Sequence, residues 1–444
     1  MDWKDRISWI DGYVKKIKPH VRVREKDSIL IKIPNQAYKL NPQAVKLLKY
    51  LFSGGSIFSV VKPQKDREKA SFDVYAFFMD LQALLKGCYN EKEDRIAIEK
   101  KRFSIPYNEF PVLSEIAVTY RCNLACSFCY AACGCKKEEQ FPELSADRFK
   151  KVLDVICKEA EVPSVSFTGG EPLLREDLAE LVKHAKSLNM WTNLITNGTL
   201  LSEEKAAELK AAGLDSGQVS IEAGNPAIHD QVVRKKGAFE KAAEGITNLM
   251  KAGIRVHTNT TISGLNKNFL FDILNFVKDA GLDKFSMNMM MPVGSAKENF
   301  SGTFVSYSEI GPLVEGIRKK AVEDGLEFMW YSPTPVCIFN PISKGLGNKG
   351  CAALDGLLSI APNGDILPCS SYRKSMGNML ESAGNFEDLW KSGPFKYFQN
   401  KEFAHEICKK CEHIAHCNGA CPLYWESVGH AELERAVRCL EKSR

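Results

Sequence analysis

No stretch of this 444-residue chain approaches the ~18 consecutive apolar residues that a membrane-crossing helix needs. Its first residues, MDWKDRISWIDGYVKK, lack the apolar centre of a secretory signal. Together these two absences lead to the expectation of a cytoplasmic protein with no membrane partner. Neither sign of charge dominates: 60 Lys+Arg against 55 Asp+Glu leave a formal +5. So mild a surplus accommodates an anionic ligand but gives no ground for expecting nucleic acid as a partner. Internal repeats and low-complexity tracts do not stand out either. What is present, 26% charged and 44% hydrophobic residues, is the balance of a soluble globular protein, and the length suits two to four domains.

Cysteine is abundant but unevenly spread. The fifteen are Cys88, Cys122, Cys126, Cys129, Cys133, Cys135, Cys157, Cys337, Cys351, Cys369, Cys408, Cys411, Cys417, Cys421 and Cys439. Five lie within 122–135 and eight within 337–439, with none between Cys157 and Cys337. In a reducing compartment such crowding reads as metal ligation rather than a disulfide framework.

Three segments separate by pattern. In residues 1–100, Ser28 to Tyr38 reads as a hairpin turning at Pro34-Asn35. Asn41-Pro42 predicts a helix start, with Val45, Leu48, Leu51 and Phe52 as its apolar face and Gly54-Gly55 as its end. A second helix is expected over Val74 to Lys86, so the segment is expected to be a winged-helix-like module. From about 110 to 320, short apolar runs alternate with amphipathic helical stretches. Candidate strands are Leu113–Thr119, Val165–Thr168, Trp191–Thr196, Gln218–Glu222, Arg255–Ile262 and Lys284–Met291. The fold class expected is therefore α/β: a partial (β/α)6 TIM-like barrel with chemistry at the carboxyl ends of its strands. Residues 330–444 are loop-rich and cysteine-dense, suggesting a third domain.

Cys122-Asn-Leu-Ala-Cys126-Ser-Phe-Cys129 directly follows the first candidate strand. Three thiolates at that spacing hold three irons of a [4Fe–4S] cube and leave the fourth iron for a ligand. Cys126-x-x-Cys129 alone would also serve a zinc site. The second candidate strand ends in Thr168-Gly169-Gly170-Glu171-Pro172, where two glycines let backbone approach a ligand and a carboxylate accepts from an amine; a tight βα turn is the plainer alternative.

Taken together, these two motifs resemble the radical S-adenosylmethionine (SAM) superfamily, whose members carry CxxxCxxC followed by GGEP. The resemblance covers about 112–300. It implies that Cys122, Cys126 and Cys129 ligate a cluster whose open iron chelates SAM. Reductive cleavage of SAM would then give methionine and a 5′-deoxyadenosyl radical that takes a hydrogen atom from the substrate. It further implies that Gly169, Gly170 and Glu171, with Pro172 completing the motif, meet the methionyl amine. Asn197, Ser220 and Arg234 would line the SAM pocket, Arg234 pairing with the carboxylate. Ile221-Glu222-Ala223-Gly224 departs from the family's usual Asp-Gly pair after the fourth strand.

The later cysteines, Cys351-x12-Gly364-x4-Cys369 followed by Cys408-x2-Cys411-x5-Cys417-x3-Cys421 and then Cys439, resemble the SPASM extension of radical SAM enzymes. That extension binds two auxiliary [4Fe–4S] clusters, bringing the expected total to three. The resemblance implies one auxiliary cluster on Cys408, Cys411, Cys417 and Cys439. The other would use Cys351, Cys369 and Cys421, with Cys337 as candidate fourth ligand; without Cys337 it would keep an open iron. Two zinc ribbons are the alternative. Cys88 and Cys157 are expected to be core thiols. Cys133 and Cys135 read as exposed loop thiols, a redox pair or groups near substrate.

Residues 1–100 resemble the peptide-recognition domain related to the peptide chaperone of pyrroloquinoline quinone biosynthesis. The matching features are Ile33-Pro-Asn-Gln-Ala-Tyr38, Leu40-Asn41, Leu51-Phe52-Ser-Gly54 and Phe77-x3-Leu81 before Gly87. The resemblance implies that the leader of a precursor peptide adds as a strand to the module's edge. The whole chain is then expected to be a peptide maturase forming a thioether or carbon–carbon crosslink, supplied with electrons by a flavodoxin or ferredoxin. The alternatives are a SPASM maturase acting on a protein side chain or on a small cofactor or tetrapyrrole and, more remotely, a DNA-binding iron–sulfur sensor. Ser370 follows Cys369 where the sulfatase-maturing group carries an acidic residue. No carboxylate is singled out by spacing as a catalytic acid or base.

Overall fold

The computed structural model describes residues 2–86, 109–133 and 142–442, so Gly87, Cys88 and Cys135 lie outside the described residues. The chain folds as two compact units, Met1–Val112 and Leu113–Arg444.

In the first unit, helices Trp3–Ile7 and Ile10–Ile17 precede strands β1 (Val21–Arg24), β2 (Ile29–Lys32) and β3 (Gln36–Lys39). Helices Pro42–Phe52, Ile57–Val61 and Arg67–Lys86 follow. The strands form an antiparallel sheet in the order β1-β2-β3, with Val21 opposite Lys32 and Ile29 opposite Lys39. The expected hairpin is β2–β3. The expected cap is also present: the Ala44 N–H donates to Asn41 Oδ1 at 2.8 Å, while Gly54 takes φ +101° past the helix end. The last helix starts seven residues before the expected Val74, because the Lys69 N–H donates to Asp66 Oδ1 at 2.9 Å and caps its first turn. Ile7, Ile10, Val14, Leu30, Leu48, Ile57, Val61 and Phe78 make the core.

Arg24 and Asp27 form a fully buried ion pair in this unit. Arg24 donates from Nε and Nη2 to the two Asp27 carboxylate oxygens, each at 2.8 Å, and from Nη1 to the Pro111 carbonyl at 2.6 Å.

The second unit is built on parallel strands β4 (Leu113–Thr119), β5 (Ser164–Gly169), β6 (Trp191–Thr196), β7 (Ser216–Ser220), β8 (Arg255–Ile262), β9 (Lys284–Met289) and β10 (Glu327–Trp330). All six expected strands are present, each followed by a helix, in the order expected of a partial barrel. The run expected at Gln218–Glu222 sits two residues earlier, which leaves Glu222 beyond the strand.

Two features go beyond the expected architecture. β10 adds a seventh parallel strand, reached through helix Tyr307–Glu323 with its Ser306/Glu309 capping box; four residues, Glu-Phe-Met-Trp, are too short a run to stand out in sequence. At the opposite edge, β11 (Leu357–Ile360) pairs parallel with β4, placing Ser359 opposite Glu115, and turns back antiparallel into β12 (Ile366–Leu367). The segment expected as a separate third domain is therefore part of the same compact unit as the barrel, because its Leu-Leu-Ser-Ile strand covers the exposed edge of β4.

The strands alternate in character. Val165, Phe167, Leu194 and Val219 are fully buried, and the Gly217–Val219 face lies under helix Ala238–Lys251: a Cβ on Gly217 would meet Leu249 at 2.8 Å. The opposite face carries a half-buried polar row. Ser216 Oγ donates to Asn193 Oδ1 at 2.8 Å, Asn193 Nδ2 donates to Ser166 Oγ at 3.3 Å, and His257 Nε2 lies 3.2 Å from Gln218 Oε1. Met287, Met289 and Met290 are buried in the core. No described helix is long and apolar enough to cross a membrane.

Replacing Arg24 with alanine leaves Asp27 buried without its partner, a loss of about 3–5 kcal/mol. Denaturant unfolding of the full chain, followed by tryptophan fluorescence, should show it; a loss below about 1 kcal/mol contradicts the role given to this pair.

Candidate functional site

The loop after β4 has almost no regular structure, so its cysteines take their directions from hydrogen bonds to other strand ends. The Ala125 and Ser127 N–H groups donate to the Val233 and Val232 carbonyls at 3.3 and 3.1 Å. Arg234 Nε donates to Ser127 Oγ at 3.1 Å and its Nη2 to Asn299 Oδ1 at 2.8 Å, while Asn299 Nδ2 reaches the Ser127 carbonyl at 3.2 Å. Asn197 Nδ2 donates to Asn123 Oδ1 and Asn123 Nδ2 to Thr199 Oγ1, both at 2.8 Å. The Ser295 N–H, beyond β9, closes the brace on the Cys129 carbonyl at 2.8 Å.

Cys122, Cys126 and Cys129 are free thiols on this loop, near enough to act on one another electrostatically. Burial pushes Cys122 up to about 11, and burial followed by the Glu222 carboxylate raises Cys126. Cys129 goes the other way, down to about 6, because the Cys133 thiol hydrogen-bonds to it. Cys133 is thus buried beside Cys129, which removes the exposed loop thiol from the three readings it was given. Three soft donors on one braced loop fit an iron–sulfur cube with an open iron, and ligation to iron removes the cost of burying thiolates.

Gly169 and Gly170 are required by a close approach of protein to protein. A Cβ on Gly169 would stand 2.1 Å from the Thr119 carbonyl oxygen, and one on Gly170 2.3 Å from that of Arg121. The Gly170 and Glu171 N–H groups donate to those same two carbonyls at 2.9 Å, tying the β5 end to the start of the cysteine loop. Glu171 is fully buried. Its carboxylate accepts from the Leu173 N–H at 3.1 Å, the Thr196 hydroxyl at 2.7 Å and the Asn197 N–H at 2.8 Å, yet burial still lifts it to about 7. Pro172 is buried at the start of the short turn that follows.

Ser220 ends β7 on the polar face, half-buried. Just beyond it, buried Glu222 accepts from the Thr261 N–H at 2.8 Å, and burial raises it to about 8. The Glu222 N–H donates to His229 Nδ1 at 3.1 Å, which fixes that nitrogen as the unprotonated one. Arg234, expected to face a carboxylate, spends two of its donors on Ser127 and Asn299.

The later cysteines fall into two groups. Cys351, Cys369 and Cys421 act on one another electrostatically: burial followed by mutual repulsion pushes Cys421 up to about 12 and raises Cys369. Cys408, Cys411 and Cys417 form the other group, and Cys337 lies against it rather than beside Cys351: burial, then Cys417, Cys408 and Cys411, raise its thiol to about 12. Cys439 is exposed on helix Ala431–Lys442. Cys157, expected in the core, is half-buried, 3.5 Å from the Leu188 carbonyl. Among the described residues no three Cys, His, Asp or Glu converge closely enough for a single metal ion. Thiol donors from several loops suit auxiliary iron–sulfur clusters.

Sequence reasoning missed Glu115. On β4 it reads as an ordinary strand carboxylate, yet it accepts from Ser359 Oγ at 2.8 Å and from the Ser370 N–H at 3.1 Å, beside Cys369. Desolvation raises it despite both bonds. A cavity of about 450 Å³ lies between the cysteine loop and the β11–β12 turn, lined by Tyr120, Tyr130, Gly294, Ala361, Asp365 and Arg373 among others. The Arg373 guanidinium sits over the Tyr120 ring at 3.7 Å.

Comparison with known proteins places two family matches on this geometry. Residues 116–280 match the radical SAM superfamily and residues 351–412 match SPASM, an iron–sulfur cluster-binding domain. The chain is 29% identical to an AdoMet-dependent heme synthase of Oleidesulfovibrio alaskensis, over 68% of this chain and 80% of that one. It is equally 29% identical to a PqqA peptide cyclase of Bradyrhizobium diazoefficiens, over 71% and 82%. The fold resembles that of Streptococcus suis SuiB bound to precursor peptide SuiA, with a TM-score of 0.66 at 17% identity over 91% of this chain and 95% of that one. It also resembles native anSMEcpe with bound AdoMet, at 0.54 and 16% over 75% and 100%.

Burial holds His229 down to about 4, against 6.5 for an ordinary imidazole. The neutral ring's contribution to stability is therefore present above pH 6.5 and lost as pH falls toward 4. His229→Gln, which keeps an acceptor but cannot titrate, should lose less melting temperature than the parent between pH 6.5 and 4; parallel curves contradict the assignment.

Proposed function

From a chain that carries a radical SAM domain followed by an iron–sulfur cluster-binding SPASM domain, we propose an enzyme that oxidatively crosslinks a ribosomally made peptide. SAM and [4Fe–4S] clusters are its cofactors, and radical chemistry is its mode of action. In this reading Cys122, Cys126 and Cys129 hold the SAM-binding cluster. The C-terminal cysteines hold two auxiliary ones. When bound, the first cluster supplies the electron that cleaves SAM.

The chain's own residues then have defined tasks. Arg234, Asn299, Asn197 and Ser295 keep the cysteine loop in one conformation. Glu171, with three donors of its own, sets the ends of β5 and β6, so Gly169, Gly170, Pro172, Asn197 and Ser220 border the SAM pocket as a rigid rim. Buried Glu171 and Glu222 favour a cationic ligand there, which fits the ammonium and sulfonium groups of SAM.

The observation that carries the peptide reading is the first unit: an antiparallel sheet whose β3 is an edge strand, where a leader adds through backbone hydrogen bonds. The likeness to SuiB supports it, since 91% coverage is more than residues 113–444 alone can supply. Relatives named heme synthase favour a second reading, a tetrapyrrole substrate. A flavodoxin or ferredoxin is the proposed electron donor.

The test combines anaerobically reconstituted protein, SAM, a low-potential reductant and a Cys-containing peptide encoded beside the gene, with peptide mass and 5′-deoxyadenosine as readouts. Loss of two hydrogens from the peptide, abolished by alanine at Cys122, Cys126 and Cys129, is the expected result. Deoxyadenosine with unchanged peptide, together with turnover of an added tetrapyrrole, overturns the peptide reading.

A further inference from the structure

Lys401 is buried: its side chain is 1% exposed, although lysine ordinarily keeps its charged end in water. The backbone beneath it follows a fixed course. After helix Gly393–Gln399, the Lys401 N–H donates to the Phe398 carbonyl at 3.1 Å and the Ala404 N–H to the Lys401 carbonyl at 2.9 Å. Lys401 itself takes φ +57°, a conformation that a residue with a Cβ seldom adopts. From there its Nζ donates to the Cys351 carbonyl at 2.8 Å and to Asp355 Oδ2 at 2.9 Å. Asp355 is placed by a turn of its own, its N–H donating to the Ala352 carbonyl at 3.1 Å.

This pair is a poor device for stability. Both charges leave water, and Asp355 Oδ1 is buried with no hydrogen-bond partner. What the pair supplies is a cation fixed beside Cys351. Burial raises the Cys351 thiol; against it, Lys401 pulls the thiol down by more than Asp355 pushes it up. The charged side chains that act on the other two thiols are anionic, Glu115 on Cys369 and Glu426 on Cys421. Lys401 therefore opposes the prevailing negative potential around this group of cysteines.

We infer that the Lys401 ammonium raises the reduction potential of the cluster that Cys351 helps to ligate. Reducing a [4Fe–4S] cluster adds one electron and hence one negative charge, so a fixed cation beside a ligand favours the reduced form. Lys401 acts through the cluster and not on the substrate. The inference rests on the auxiliary clusters of the proposed function, and it holds whichever group completes the ligands around Cys351. Its test uses neither SAM nor peptide.

The full chain carrying alanine at Cys122, Cys126 and Cys129 is reconstituted so that only the auxiliary clusters are present. Its electron paramagnetic resonance signals are then followed through a redox titration at neutral pH. Cys369→Ala marks the signal of the group to which Cys351 belongs. Lys401→Gln, which can still donate to the Cys351 carbonyl but carries no charge, should lower the midpoint potential of that signal and leave any other in place. Asp355→Asn, which removes the opposing charge, should raise it. A merely structural pair would not move the potential in opposite directions, and the second variant keeps the buried lysine should its loss prevent folding. An unchanged midpoint in Lys401→Gln, or a fall in Asp355→Asn, overturns the role of Lys401 and leaves the proposed function standing. A Cys369→Ala variant that alters no signal removes the cluster itself, and with it both readings.

Discussion

The structure depends on how a loop with no ladder of its own is made rigid. The chain between Thr119 and Cys133 supplies three cysteines and little else, so their geometry is set by the groups around them. Val232 and Val233 receive its N–H groups, Arg234 and Asn299 clamp Ser127, Asn197 grips Asn123, and Ser295 holds the Cys129 carbonyl. These partners follow three different strands: Asn197 comes just after β6, Val232 to Arg234 end the helix Pro226–Val233 that follows β7, and Ser295 and Asn299 come after β9. A parallel sheet brings such ends together at one rim, which is why the thiols sit there and nowhere else. Hydrogen bonds in a partly desolvated rim are costly to leave unmade, so the brace also selects one loop conformation.

The buried carboxylates belong to the same logic. Glu171 and Glu222 each lie just past the end of a strand, and each is raised by burial even though N–H donors face it. Burial inclines both carboxyls toward the neutral acid, Glu171 near Cys122 and Glu222 near Cys126, so each ionises more readily when a cation sits beside it. Such an arrangement favours a ligand that brings positive charge. Glu115 repeats the pattern lower in β4, between the barrel and the SPASM segment, where Ser359 and Ser370 fix its direction. The half-buried row of Ser166, Asn193, Ser216, Gln218 and His257 gives the adjoining face of the sheet a polar lining. An apolar filling would have closed it.

Much of this was legible in the sequence because the signals were local. Asn41-Pro42 is a local helix-start signal, six apolar strand runs alternate with amphipathic helices, and Cys122-x3-Cys126-x2-Cys129 fixes a donor set within eight residues. What could not be read depends on long-range placement. Besides the ligand role expected of them, Gly169 and Gly170 clear the Thr119 and Arg121 carbonyls, a contact about fifty residues back along the chain that no local pattern announces. β10 is too short to announce itself, and β11 joins the barrel only because β4 has an edge to cover. Glu115 and Arg234 are ordinary residue types whose partners, Ser370 and Ser127, are distant in sequence. The resemblance made Cys337 a candidate beside Cys351, but the Val336 N–H at Cys417 Sγ and the packing of Gly350 on Asn418 lay its segment against the 408–418 loop.

The central claim is that the Cys122/Cys126/Cys129 loop holds a cluster with one iron free to chelate SAM. Electron–nuclear double resonance on the reduced protein, with SAM labelled in its amino nitrogen and carboxylate oxygens, addresses it directly. Hyperfine coupling from both labels to the cluster, lost when those three cysteines are replaced by alanine, is the result the account predicts. A protein shown to hold the cluster and to bind SAM, yet giving no coupling from either label, would contradict it.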